Sequence, residues 1–150
     1  MTHDKHHHHD TWKEFEGNDV THSAAHHLLA ILELREKRGY ARVTDVARHL
    51  NITTGSASTN LKTLKTKGLI AEDENRFLVL TAEGESLAKA VVQRRNIIHK
   101  FLCEILRVSA DQAEIDACKT EHLISAETAR KLERFMKEFQ LTESRAAANQ

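Results

Sequence analysis

Between Thr21 and Gly68 the apolar residues recur at helical spacing, and the chain is offered only two places to reverse, Gly39 and the stretch NITTG at 51–55. That punctuation leaves few folds open. THSAAHHLLAILELREKRG sets Leu28, Leu29, Ile31, Leu32 and Leu34 on one side and ends at Gly39, as an amphipathic helix with a glycine stop should. VTDVARHL (43–50) predicts a short helix capped by Thr44, with Val46, Ala47 and Leu50 inward. After NITTG, SASTNLKTLKTKG buries Ala57, Leu61 and Leu64 and stops at Gly68. Two short helices joined by a tight turn, the second polar and lysine-bearing outside, make a helix-turn-helix pattern.

LIAEDENRFLVLT (69–81) predicts two short strands around the turn DENR (73–76), a hairpin that would serve as a wing. From Thr81 the apolar residues Leu87, Val91, Ile98, Leu102 and Ile105 predict one long amphipathic helix, or a pair broken near Arg94 and Arg95. Ser109 with Gln112 forms a capping box for the next helix, and Ser125 caps AETARKLERFMKEF (126–139). With no proline and five glycines in 150 residues, the expected fold class is mostly α with a small β-hairpin.

Charge excludes little, because 22 basic and 22 acidic side chains cancel; only its local distribution informs. No apolar run approaches the roughly 18 residues needed to span a membrane, so no membrane partner is expected and the expected location is cytoplasmic. Residues 1–20 lack helical period and read as a flexible His-rich arm; the four histidines at 6–9 fit an expression tag or a metal-scavenging tail equally. In a reducing compartment the two cysteines, Cys103 and Cys118, predict one core residue and one reactive or ligating thiol rather than a disulfide.

Two constellations carry chemistry. In AEIDACKTEHLIS (113–125), Glu114, Cys118, Glu121 and His122 follow at steps of four, three and one, so they share one side of a helix. Thiolate, carboxylate and imidazole within one turn can chelate a borderline-soft divalent ion, and a closed shell needs a further ligand. The first helix offers His22, His26 and His27, of which His22 and His26 share a face. The second constellation is basic: region 35–67 has eight Lys/Arg against two acids. There Ser56, Ser58, Thr59, Asn60, Lys62 and Lys65 suit phosphates and base edges, and Arg76 at the wing tip suits a phosphate or minor groove.

In this order the elements resemble the diphtheria-toxin-repressor and manganese-transport-regulator family of metal-dependent repressors. GYARVTDVARHLNITTGSASTNLKTLKTKGLI is similar to that family's helix-turn-helix, FLVLTAEG to its wing exit and ACKTEHLIS to its metal-binding helix. The resemblance implies an N-terminal winged helix-turn-helix DNA-binding domain (21–92), a C-terminal helical metal-binding and dimerisation domain (93–140) and a flexible tail (141–150). It further implies a metal-loaded homodimer on double-stranded DNA at an inverted-repeat operator, repressing divalent-metal uptake genes. Carried over by position, it makes Cys118, Glu121, His122 and His26 the metal ligands, and Gly55, Ser56, Ser58 and Thr59 DNA-facing. Arg95 stands where a histidine is usual, His99 where an acid is usual, Glu114 where a histidine often sits and Leu29 where the manganese sensors carry an acid; His22, His99 and Glu114 are secondary ligand candidates. The donor softness of two imidazoles, a thiolate and a carboxylate ranks iron(II) and zinc(II) above manganese(II). Alternatives are a winged-helix regulator with a structural metal or redox-sensing Cys118, a metal buffer using its His-rich arm and, less favoured for want of an HExxH helix or a separate general base, a zinc enzyme.

Overall fold

The computed structural model describes residues 21–148; the expected arm at 1–20 and the last two residues of the tail lie outside them. Helix α1 (His22–Arg38) opens on Thr21, whose hydroxyl accepts the Ala24 N–H at 3.1 Å, and closes on Gly39, whose φ of 82° suits a residue without Cβ. Helices α2 (Val43–Leu50) and α3 (Thr54–Thr66) follow, joined through Asn51 at φ 54°. The hairpin pairs β1 (Ile70–Glu72) with β2 (Leu78–Leu80) antiparallel, with Ala71 opposite Val79. Helix α4 (Ala82–Glu104) leads to α5 (Ala110–Thr120) and α6 (Ala126–Ala148).

Three expectations are corrected and one open alternative is resolved. Thr44 does not cap α2: the Asp45 carboxylate accepts the Arg42 N–H at 3.1 Å and lies 3.6 Å from the Arg38 guanidinium, which ties α2 to the end of α1. Helix α3 starts before Ser56 because the Thr53 hydroxyl already accepts the Ser56 N–H. Of the two readings of the 82–104 region, the single helix is the one present, running unbroken through Arg94 and Arg95, so a domain boundary at 92/93 falls inside a helix. And α6 runs on through Ala148, where a frayed tail is expected from 141; nothing in LTESRAAA breaks a helix.

One apolar core holds the first half together. Leu28 and Ile31 of α1 are completely buried, and Val46, Ala57, Leu61, Leu64, Ile70, Leu78, Ala88 and Val91 close around them from α2, α3, the hairpin and α4. The wing is anchored by the Leu78 N–H donating to the Ala41 carbonyl at 2.8 Å, and its tip is set by Asp73, whose carboxylate accepts the Asn75 and Phe77 N–H groups. Among the described residues no helix is long and apolar enough to cross a membrane.

Gly84 lies where α4 leaves the wing. A Cβ there would overlap the Leu69 carbonyl oxygen, which cannot retreat because it also accepts the Thr81 N–H at 3.1 Å. Gly84→Ala is therefore expected to destabilise the protein by about 1–3 kcal/mol, seen as a lower urea midpoint with unchanged slope; an unchanged midpoint would show that α4 need not approach β1 so closely.

Candidate metal centre and DNA-reading surface

Helices α1 and α5 meet through polar side chains. One ligand-type atom from each of His22, His26, Cys118 and Glu121 falls within a group no more than 4.8 Å across. The Cys118 Sγ is 3.3 Å from the His26 Nε2 although 92 residues separate them. Helical spacing explains the pairing: His22 and His26 are one turn apart at the start of α1, their rings edge-on with centroids 4.4 Å apart, and Cys118 faces them from the last turn of α5.

Burial favours the uncharged form of both His26 and Cys118. Burial lowers the His26 pKa, helped by neighbouring His22 and Arg95, so its ring stays neutral. Burial raises the Cys118 thiol above its ordinary value even though Arg95 pulls the other way, and the sulfur stays within hydrogen-bonding distance of the His26 Nε2. Two donors of a tetrahedral zinc shell with nitrogen and sulfur ligands sit about 3.5 Å apart. The His26–Cys118 separation is close to that, and the donor types of the group fit a borderline divalent ion.

Glu121 is the exception within the group. It is completely buried, and Arg95 of α4 grips both its oxygens, Nε donating to Oε2 at 2.5 Å and Nη2 to Oε1 at 3.1 Å. The guanidinium pKa is raised by that bond. Sequence reasoning noted Arg95 as a departure but not this pairing, because nothing in the spacing of residues 95 and 121 on separate helices announces it.

The other expected ligands are distributed less uniformly. His122, a primary ligand by resemblance, lies outside the four-residue group, with its ring centroid 5.1 Å from that of His22; Glu121 ends α5, so His122 already follows the turn. His22, expected only in second rank, is inside the group. His99 lies away on α4 beside Cys103, whose Sγ is 3.8 Å from its Nε2. Glu114 is exposed, though near enough to act electrostatically on Arg95 and Cys118. His27 turns into the core and donates Nδ1–H to the Ser23 carbonyl at 2.6 Å.

The expected DNA-facing residues Gly55, Ser56, Ser58, Thr59, Lys62, Lys65 and Arg76 are all exposed, the first six along α3 and Arg76 at the hairpin tip with φ 59°. Lys65 is engaged by Glu72 of β1 at 2.8 Å.

A helix-turn-helix with a wing, coupled by a soft-donor cluster to a second helical unit, defines a metal-responsive DNA-binding regulator. The chain belongs to the iron-dependent repressor family: residues 19–76 match its N-terminal DNA-binding domain and residues 81–145 its metal-binding and dimerisation domain. It is 40% identical over 98 residues to the transcriptional regulator MntR of Escherichia coli, a match covering 65% of this chain and 63% of that protein. To the HTH-type transcriptional regulator MntR of Lysinibacillus sphaericus it is 32% identical over 105 residues, 70% of this chain and 75% of the relative. The fold is similar to that of the manganese regulator SloR, with TM-score 0.69 and 24% identity over 76% of this chain and 53% of the other. The chain thus spans less than two thirds of the E. coli relative. The family is described as one of repressors with a DNA-binding and a metal-binding and dimerisation domain, which is a different class from the zinc enzymes.

The lowered pKa values of His26 and His122 have a consequence for stability. Between the ordinary imidazole value of roughly 6.5 and the lower folded value, the unfolded chain binds more protons than the folded one, so stability falls as pH falls through that window. Urea titrations of the metal-free protein from pH 7.5 to 5.0 should show this loss, with a shallower slope in His26→Gln; an identical slope would remove His26 as its source.

Proposed function

We propose that this chain is a metal-activated transcriptional repressor that binds an inverted-repeat operator as a homodimer. One observation carries the reading: His26 at the start of α1, inside the DNA-reading unit, lies 3.3 Å from Cys118 on α5, in the unit that matches the dimerisation domain. A divalent ion would supply a cross-link between the two units at that point. His26, Cys118 and His22 would hold it, with Glu121 as the carboxylate donor and His122 at its edge. The family is named for iron and the structural neighbour SloR for manganese, so manganese is at least as well supported by kinship as iron or zinc. The donor set itself, nitrogen and sulfur with one encumbered carboxylate, favours zinc(II) or iron(II).

Pairing of two copies is supported by apolar side chains exposed in the C-terminal half: Leu106, Ile115, Leu123, Phe135 and Leu141 are each about half exposed or more. Two copies spaced by one turn of duplex would double the phosphate contacts of a single winged helix and require a two-fold related operator. Action on duplex DNA implies a cytoplasmic location.

The test is fluorescence-anisotropy titration of an inverted-repeat DNA library at fixed salt, with chelator and then with each divalent metal. Metal should tighten binding at least tenfold, and His26→Ala or Cys118→Ala should abolish that gain while circular dichroism remains unchanged. Equal affinity with and without metal in the parent protein would sink the reading, and unfolding by chelator would instead make the metal structural. Against the preferred sequence, Lys62→Ala should weaken binding uniformly and shrink the salt slope by about one; a sequence-selective loss would mean that Lys62 reads a base.

A further inference from the structure

Glu121 is the only carboxylate in the four-donor group, and the protein already fills both its oxygens. The guanidinium of Arg95 makes two parallel bonds to it, the carboxylate is completely buried, and the Arg95 side chain is itself only 21% exposed. A buried carboxylate with two charge-assisted bonds from a planar cation is neutralised and geometrically satisfied. Any ion that takes an oxygen of Glu121 shares that oxygen with an Arg95 N–H and must tolerate the guanidinium charge beside it. The other three donors, His22, His26 and Cys118, are held by no charged partner, although Cys118 must give up its proton and its contact with His26.

We propose that Arg95 is a built-in counter-cation that competes with the metal for Glu121 and thereby sets metal selectivity. The inference rests on the metal-binding reading above and adds a role that His26 and Cys118 do not have. In the metal-free protein Arg95 closes the junction between α4 and the end of α5; in the loaded protein repulsion between the guanidinium and the ion drives it off at least one Glu121 oxygen. The competition is uneven. Manganese(II), which prefers oxygen, depends on the one donor that Arg95 occupies, whereas zinc(II) can draw most of its coordination from the imidazoles and the thiolate. Arg95 therefore weakens all ions that use Glu121 and handicaps the oxygen-seeking ones most.

Arg95→Gln removes the charge but keeps a donor near Glu121, and two readouts move in opposite directions. The melting temperature of metal-free Arg95→Gln should fall below that of the parent, because a buried carboxylate has lost its charged partner. Its manganese affinity, read from the free-ion electron paramagnetic resonance signal, should rise at least tenfold. Its zinc affinity, read by competition with a chromophoric chelator, should rise by a smaller factor. Manganese binding no tighter than in the parent, or undetected in both, overturns the proposal. If the parent competes for zinc, the failure is confined to Arg95; if neither protein competes, the metal-binding reading falls with it.

A measurement on the unaltered chain guards against a variant that fails to fold. In 15N spectra the Arg95 Nε–H, identified by its loss in Arg95→Lys, should be slow to exchange without metal and lose that protection as zinc saturates the protein. Persistence of a protected Nε–H at saturation overturns the exchange of partners.

Discussion

The burial of the apolar face of α1 is the constraint on which the remaining structure depends. Leu28 and Ile31 expose nothing and Ala25 and Leu34 almost nothing, because α2, α3, β2 and α4 enclose the helix. Burying such side chains is worth about 1.5–3 kcal/mol each, so α1 cannot shift alone without exposing the core of the DNA-reading unit. Its first turn, carrying His22 and His26, is thereby fixed relative to α3. The opposite side of the cluster is carried differently. Helix α4 starts pressed against Leu69 of the wing at Gly84 and extends for 23 residues before α5 folds back onto it. The donor group measures, in effect, the angle between a buried helix and the far end of a long one.

Chemistry changes along that long helix. Up to Val91 its inward residues are apolar and belong to the main core; one turn later Arg95 enters, and the junction beyond it is built from Arg95, Glu121, Cys118 and the two histidines. The apolar contribution past this point is small: Ala113 and Ala117 let α5 approach α4 closely, and Met136 is the one residue of α6 fully withdrawn from solvent. An apolar interface of this size would simply be closed. A polar one has two ways of being satisfied, by its own ion pair or by a shared cation, and an element with two such states is what a ligand-operated switch requires.

The DNA-reading half was legible because its information is local. Apolar spacing, Gly39, Gly68 and the turn residues of NITTG and DENR each act within a few positions, and helices and hairpin appear where they point. The misreadings there are local competitions: Asp45 rather than Thr44 satisfies the start of α2, since its carboxylate also meets Arg38. The tail was misjudged because it is polar and lacks core contacts, yet no residue in it opposes a helix. At the metal centre, residue types were legible and geometry was not. Cys118 and Glu121 follow from helical spacing, but that His22 lies inside the four-residue group and His122 at its edge depends on where α5 ends, and Arg95 acquires its meaning only from a partner 26 residues away.

That cluster is also close to the surface that reads DNA, and the closeness runs through α1. Ser23, next to His22, donates its hydroxyl to the Asn60 carboxamide oxygen on α3 at 3.3 Å, and Asn60 in turn donates to the Ser56 carbonyl at 3.0 Å. These bonds are exposed and individually weak, so they cannot drive a rearrangement. Their value is positional. Because α1 and α3 share the apolar core through Leu28, Leu61 and Leu64, they move as one body, and whatever fixes the first turn of α1 against Cys118 fixes the direction in which Ser56, Ser58 and Thr59 point. The relevant freedom is therefore not within the helix-turn-helix but between it and the unit carrying α5 and α6. In a dimer held through the latter, two reading helices would meet successive grooves only when both junctions adopt the same angle. A cluster that fixes this angle alters DNA affinity without touching DNA, and its influence is bounded by the difference in cation affinity between the two arrangements of the junction.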